Sequence, residues 1–138
     1  MRHRKRGRKL NRTASHRRAL KRNLTRSLFK EFGEQEYIIT TREKAKFVQA
    51  FAEKLITLAK EKTLANYRRG LQLLHDEDMV HKLFEEIGPR YKDRPGGYTR
   101  LILTGTRRLG DKASQVVFGF VRDADAAPAA EAPAESSE

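Results

Sequence analysis

The sequence predicts a small α+β fold in which helices pack on one side of a short sheet, in the order α-β-α-α-α-β-β. Three observations support this prediction. First, apolar residues recur at helical spacing in four stretches. Second, short β-branched or aromatic runs, typical of strands, follow the first of these stretches and the last of them. Third, segments that contain Gly or Pro separate the stretches. A chain of 138 residues suits one domain with one modest core, arranged here in two layers.

The first helix is predicted to begin at Thr13 or Ser15, because either hydroxyl can accept a hydrogen bond from a free backbone N–H. Three leucines at a spacing of four share one face of this helix: Leu20, Leu24 and Leu28. That face would contact the core, while arginines on the other faces would point outward. Gly33 would end the helix.

Residues 37–39 (Tyr-Ile-Ile) are aromatic and β-branched and predict the first strand. Thr40 and Glu43 have the spacing of a capping box, in which a hydroxyl and a carboxylate satisfy the first N–H groups of a helix. The second helix follows, with an apolar stripe of Val48, Phe51, Ala52, Leu55, Ile56 and Ala59.

A third helix is predicted over residues 63–74, and a fourth after Asp76, whose carboxylate can cap it. The apolar face of the third comprises Leu64, Tyr67, Leu71 and Leu74. That of the fourth comprises Met79, Val80, Leu83, Phe84 and Ile87. Gly88-Pro89 is expected to stop the fourth helix and to open a basic loop over residues 88–97.

Two final strands are predicted at residues 98–103 and 116–121, joined by a Gly- and Arg-containing connection. The chain then divides into three parts. Residues 1–12 form an extended basic arm, residues 13–122 form the α/β domain, and residues 123–138 form a flexible Ala/Pro/Glu-rich tail.

The charge is concentrated at the start of the chain. The first acidic residue is Glu31, and 13 Lys and Arg residues precede it, nine of them Arg. Such a run repels itself and favours a polyanion, and Arg grips phosphate with a planar, two-pronged guanidinium. Nucleic acid is the expected partner, because each neutralised phosphate releases condensed counterions. The last 16 residues carry five acids and no base, so the two ends of the chain have opposite charge.

The predicted RNA-binding residues form two sets. The first lies in the arm and the first helix and comprises Arg2, His3, Arg4, Lys5, Arg6, Arg8, Lys9, Arg12, His16, Arg17, Arg18, Arg22 and Asn23. The second lies in the loop and the last strands and comprises Arg90, Arg94, Tyr98, Arg100, Arg107 and Arg108. Tyr91 and Tyr98 either stack on unpaired bases or belong to the core, and the sequence leaves both interpretations open.

Several classes of function find no support in the sequence. Without cysteine there is no disulfide scaffold and no thiolate metal site, and no apolar run is long enough for a membrane span. The acids at positions 76–78 are typical of a helix N-terminus, so they do not require a metal or an acid–base role. No catalytic constellation is visible, and we expect neither enzymatic activity nor a cofactor. A mitochondrial transit peptide shares the Arg-rich composition, but here the basic residues continue into a structural helix.

Motifs that match one family occur in order over residues 1–121. They are Met1-Arg2-His3-Arg4-Lys5 with Gly7, Leu10, Arg12, His16-Arg17 and Arg22-Asn23; Ile38-x-Thr40-Thr41-x-x-Lys44-Ala45-Lys46; Glu53-x-Leu55-Ile56-Thr57-Leu58-Ala59; Lys82-Leu83-Phe84; Ile87-Gly88-Pro89-Arg90; Gly96-Gly97-Tyr98-Thr99-Arg100; and Gly110-Asp111. Through them the chain resembles the bacterial large-subunit ribosomal protein seventeen family.

The resemblance implies a structural constituent of the large ribosomal subunit that binds 23S rRNA near the exit of the peptide tunnel. It also implies contact with neighbouring ribosomal proteins, notably the thirty-second of the large subunit, as a monomer within cytoplasmic ribosomes. The family fold has the same element order as the one predicted above, and the acidic tail has no counterpart in shorter members. The alternative function is a DNA-compacting or regulatory nucleic-acid-binding protein.

Overall fold

A computed structural model describes residues 7–122. The RNA contacts predicted at positions 2–6 and the tail predicted at residues 123–138 lie outside the described residues. The elements in chain order are α1 (Ala14–Lys30), β1 (Tyr37–Thr41), α2 (Arg42–Ala59), α3 (Leu64–Leu74), α4 (Glu77–Lys82), a π-helical turn (Leu83–Ile87), α5 (Gly88–Arg90), β2 (Thr99–Arg107) and β3 (Ser114–Phe120). The predicted α+β class and the order of the elements are confirmed, with one short helix, α5, added.

Side-chain caps start three of the helices. The Thr13 hydroxyl accepts a hydrogen bond from the His16 N–H, and the Asp76 carboxylate accepts one from Met79 at 3.2 Å. Thr63 caps α3 in the same way. The predicted caps at Thr13 and Asp76 are confirmed, because in each case an oxygen-bearing side chain satisfies an N–H that the first helical turn leaves free.

The predicted capping box at Thr40 is wrong. Thr40 is a strand residue paired with Val116. The N-cap of α2 is Thr41, one residue after the predicted cap, and the helix begins at Arg42. Thr41 makes no side-chain cap hydrogen bond, and Glu43 is instead ion-paired with Arg8. Pairing with β3 therefore extends β1 over both threonines, so neither hydroxyl caps the helix.

The predicted helix stop at Gly88-Pro89 is also wrong. The helix continues through Arg90, and the Gly88 N–H donates to the Leu83 carbonyl five residues back. This π turn adds a residue to the helix just before Pro89, which has no N–H to donate. A Cβ at Gly88 would lie 2.5 Å from the Ala59 carbonyl oxygen, so this glycine permits close approach to α2.

The sheet has the strand order β1-β3-β2, and both pairings are antiparallel. Its inner face, which includes Ile38, Phe118 and Leu101 in one row, is covered by α2. Its outer face carries the row Ile39–Val117–Ile102. β2 extends to Arg107, four residues beyond the predicted end, after a shift of register that follows Leu103.

The core lies between the helices and the inner face of the sheet. An aromatic cluster closes one end of it, where Phe32 meets Phe120 edge to face at 5.0 Å and Phe29 stacks on Phe120 at 6.2 Å. The predicted stripe of α2 is buried apart from Phe51, which is partly exposed. Leu64 was predicted to face the core, but it is 66% exposed at the first residue of α3.

Candidate nucleic-acid interface

A basic groove lies between the end of the arm, the first half of α1 and the first half of α2. It has a volume of about 490 Å³ and is lined by five cations: Arg8, Lys9, Arg17, Arg18 and Lys21. An adjoining recess adds Lys46. Across residues 7–122, no Asp or Glu lines either space, although Arg8 is ion-paired with Glu43. A concave surface with this charge concentrates anions in front of it.

A turn at residues 9–12 positions the arm beside α1. The Arg12 N–H donates to the Lys9 carbonyl at 3.1 Å, and the intervening Leu10 and Asn11 both have positive φ angles. The Arg17 Nη1 then donates to the Arg12 carbonyl at 2.9 Å and ties the turn to the helix. The arm therefore enters the groove at its fixed end, where its direction is set by the fold.

Phe47 of α2 forms one wall of the groove and was not predicted as a site residue. The Lys21 Nζ lies 4.7 Å from the centre of its ring, which is a cation–π distance. Phe47 follows Lys46 in the sequence, and a basic residue next to an aromatic one is the only local signal that could have indicated it. An aromatic surface among cations suits RNA, whose unpaired bases can stack on it.

Arg22, predicted to bind RNA, has an internal partner instead of a place in the groove. Its Nε donates to the Leu73 carbonyl at 3.0 Å, and Arg26 donates to the carbonyls of Leu74 and His75. These are the carbonyls of the last two residues of α3 and of its C-cap, His75, which the helix cannot satisfy by itself. The two arginines therefore fasten α1 to the end of α3. His16 and Asn23 are exposed on α1 and line neither the groove nor the recess.

Arg90 also has a partner inside the fold. Its guanidinium donates to Glu36 at 2.5 Å and lies 5.0 Å from the centre of the Phe32 ring. Arg122 donates to the second carboxylate oxygen of Glu36 at 2.6 Å. The hydrogen bond from Arg90, followed by that from Arg122, lowers the pKa of Glu36 from its ordinary value of 4.5, although partial burial opposes this. Glu36 thus joins the helical segment at Arg90 to the end of the sheet.

The Glu36 network predicts a loss of stability in acid. A carboxyl group whose pKa is lower in the folded than in the unfolded chain stabilises the fold above its ordinary pKa, and this stabilisation is lost as pH falls through the folded value. We expect Glu36→Gln to lower the melting temperature at pH 7 and to make the change between pH 5 and pH 3 smaller than in the parent chain. Thermal unfolding followed by circular dichroism at several pH values measures this. Glu34→Gln, at an exposed position two residues away, is the control. An equal acid transition in the parent and Glu36→Gln would contradict the assignment.

The second predicted set is not gathered into one surface. Arg100 lies on the outer face of the sheet, while Arg107 and Arg108 lie at the far end of the β2–β3 hairpin. Arg108 is paired with Asp111, and this hydrogen bond lowers the pKa of Asp111 to about 2. Arg94 is half-buried, and its carbonyl accepts a hydrogen bond from Lys60.

Tyr98 cannot stack on a base in this fold, which corrects that prediction. Its side chain is 1% exposed, its ring packs against Tyr91, and its hydroxyl is 3.2 Å from the hydroxyl of Thr57. Tyr91 is also 1% exposed and donates to the Val121 carbonyl at 2.7 Å. Both rings belong to the core, and of the two interpretations left open by the sequence, the structural one holds.

Comparison with known proteins gives the family. The family model described as Ribosomal protein L17 matches residues 20–121, which is most of the chain. The chain belongs to this family of ribosomal proteins. A relative from Desulfotalea psychrophila, Large ribosomal subunit protein bL17, is 51% identical over 121 residues, covering 88% of this chain and 90% of the relative. The chain is therefore a structural constituent of the large ribosomal subunit, as its motifs indicated.

Metal-binding clusters and membrane-spanning helices are both absent from the described part of this ribosomal protein. Among residues 7–122, no three His, Asp or Glu side chains are grouped so that they could hold a metal ion. No helix in the same part of the chain is long and apolar enough to cross a membrane.

Proposed function

We propose that this protein binds 23S rRNA through the basic groove and through the Arg-rich arm that leads into it. One observation carries the proposal: the fold brings Arg8, Arg17, Arg18 and Lys21 to one concave surface and places an aromatic ring beside them. Cations fixed on a rigid surface make charge-assisted hydrogen bonds to phosphate with little further loss of conformational freedom. The arm adds further cations, whose contacts with phosphate would add to those of the groove.

The resemblance supports a finer placement within the ribosome. We propose that the chain lies near the exit of the peptide tunnel as a monomer, in contact with the thirty-second protein of the large subunit, in cytoplasmic ribosomes. We propose no catalytic role. The groove has the residues for holding phosphate and stacking a base, and it joins no nucleophile to a general base.

Neutralising the groove should weaken RNA binding and its dependence on salt. The variant Arg18→Gln/Lys21→Gln removes two cations from the groove, and Arg68→Gln/Arg69→Gln removes two exposed cations from α3 as a matched control. Each phosphate contact contributes roughly 0.7 to the slope of log affinity against log salt for single-stranded nucleic acid, so two lost contacts lower it by about 1.4 and the affinity by roughly tenfold. Filter binding to 23S rRNA fragments at several salt concentrations measures both.

The control pair distinguishes a local site from general attraction. Equal losses for the two double variants would show that the groove is not the RNA-binding surface. Tighter binding of the parent chain to duplex DNA than to rRNA would favour the DNA-binding alternative.

A further inference from the structure

Helix α2 covers one edge of the sheet, that of β2, only at its first residue. In β2, the edge at Thr99 is occupied by α2: its N–H and hydroxyl donate to Glu53, at 3.4 and 2.8 Å, and its carbonyl accepts from Gln49 at 3.4 Å. In an antiparallel pair, every second residue directs its backbone N–H and C=O away from the partner strand. In β1, Tyr37 and Ile39 are the residues whose backbone groups point away from β3. Within residues 7–122 these groups have no hydrogen-bond partner. The sheet is therefore open along β1.

The open edge lacks the features that usually protect one. Natural edge strands carry charged residues, proline or a bulge that prevents another strand from pairing with them. β1 reads Tyr-Ile-Ile-Thr-Thr, with no charge and no proline, and it pairs with β3 without a bulge. Shortness is its one protection, since it has five residues.

The side chains beside this edge are apolar and accessible. Ile39 is 61% exposed and Tyr37 is 40% exposed, and Ile102 on the same face is 46% exposed. Tyr37, Gly119 and Arg100 form the neighbouring row of the same face. Because Gly119 has no side chain, a hollow of about 370 Å³ lies on this face. A surface of this kind matches the alternate side chains of an added strand.

We propose that β1 takes up an extended, aliphatic segment of another large-subunit protein as a fourth strand of the sheet. The segment would exchange backbone hydrogen bonds with Tyr37 and Ile39 and lay alternate apolar side chains against Ile39 and Tyr37. The proposal goes beyond RNA binding and rests on the proposed function only in that the partner comes from the assembled subunit.

Charge and chemistry favour this occupant over two others. A second copy would bring together two chains that each carry a net charge of +12, which opposes pairing of β1 with itself. RNA would place phosphates beside Ile39 and Tyr37, but β1 itself holds no cation. Arg100 and Arg122 line the hollow, and Arg122 is already bonded to Glu36. A protein strand satisfies the free backbone groups and covers the apolar side chains together.

The test uses the full chain in assembled large subunits, with a photoreactive amino acid at position 39 or, as the control, at position 102. Ile102 occupies the same row on the opposite edge strand, so it reports on the same face at a distance from β1. We expect position 39 to cross-link to another ribosomal protein, at a yield several times that of position 102. Cross-links to rRNA, cross-links to a second copy, or equal yields at the two positions would each overturn the proposal.

Hydrogen exchange provides a second readout on the unmodified chain. The peptide covering residues 36–41 should exchange its outward amides rapidly in the free protein and at least a hundredfold more slowly in the subunit. Protection already present in the free chain would mean that another part of the same chain covers β1, and rapid exchange in both states would mean that nothing does. Either result would overturn the proposal.

The variant Ile39→Lys separates this proposal from RNA binding. Lysine at an edge blocks strand addition but adds no cavity to the core, because the side chain it replaces is mostly exposed. We expect its affinity for isolated 23S rRNA fragments to be unchanged within twofold, while exchange protection of residues 36–41 in the subunit is lost. Weaker rRNA binding by Ile39→Lys than by Ile102→Lys would place β1 in the RNA interface and overturn the proposal. The groove variants test RNA binding independently.

Discussion

Deletion of residues 2–12 should abolish tight binding to 23S rRNA and incorporation into the large subunit. The deletion removes seven of the 13 Lys and Arg residues that precede the first acid, including Arg8 and Lys9 of the groove. Loss of about seven phosphate contacts would lower the affinity for RNA by on the order of a thousandfold or more at physiological salt. Mass spectrometry of gradient-purified large subunits after a high-salt wash measures incorporation.

The same deletion should leave the rest of the chain folded. The cap at Thr13 remains, and Arg8 contributes one exposed ion pair with Glu43, of a kind that is usually worth less than 1 kcal/mol. We therefore expect the melting temperature to change by less than about 5 °C. A full-length arm in which the seven cations are replaced by glutamine is the control, and it should fail in the same way. Normal incorporation of either variant would mean that the arm is not an anchor.

Replacement of Gly88 by alanine should destabilise the protein strongly. Gly88 has helical φ and ψ angles, at which alanine is normally preferred to glycine, so the backbone gives no reason for a loss. A Cβ at this position would instead lie 2.5 Å from the oxygen and 3.0 Å from the carbon of the Ala59 carbonyl. Separating two packed helices to relieve this contact costs about 2–3 kcal/mol, which corresponds to about 10 °C in melting temperature.

Gly96→Ala is the matched control for this change. Gly96 has no atom within 4 Å of its ideal Cβ position, so the same substitution should change the free energy of unfolding by less than about 0.5 kcal/mol. Chemical denaturation of the two variants compares them directly. A Gly88→Ala protein as stable as Gly96→Ala would show that α2 and α5 can move apart freely.

Local signals were sufficient to predict most of the elements. Thr13 and Asp76 precede apolar residues at helical spacing. A side-chain oxygen at that position accepts a hydrogen bond from an N–H no more than three residues later, so the local sequence is sufficient to predict the cap. The strand at residues 37–39 and the stripe of α2 were predicted for the same reason. Each depends on the spacing of neighbouring residues more than on the rest of the fold.

The predictions were wrong where a residue distant in the sequence determines the local structure. Thr40 and Thr41 are equally suitable as caps, and the choice is made by pairing with β3, more than 70 residues away. At Gly88, the sequence offers a stop signal, but the missing side chain serves the contact with Ala59. Tyr98 stands among glycines and cations in the sequence, and only its burial against Tyr91 and Thr57 in the fold shows that it is internal.

The candidate site was predictable in its charge and unpredictable in its shape. A run of basic residues indicates a polyanion, but it does not specify which of the arginines make contacts inside the fold. Arg18 lines the groove, whereas Arg22 is turned towards the end of α3. Phe47 enters the site because α2 packs beside α1, which no local pattern around Phe47 specifies.

Because of the π turn, the number of residues between α4 and α5 determines the direction of the side chains that follow. One extra residue in a helix rotates everything after it by roughly 100° about the axis. The direction of Arg90 towards Glu36 and of Tyr91 into the core therefore depends on the length of Leu83–Ile87 as well as on its composition. Loss of a single residue there would aim the two side chains elsewhere, so the fold constrains the length of this segment as well as its buried side chains.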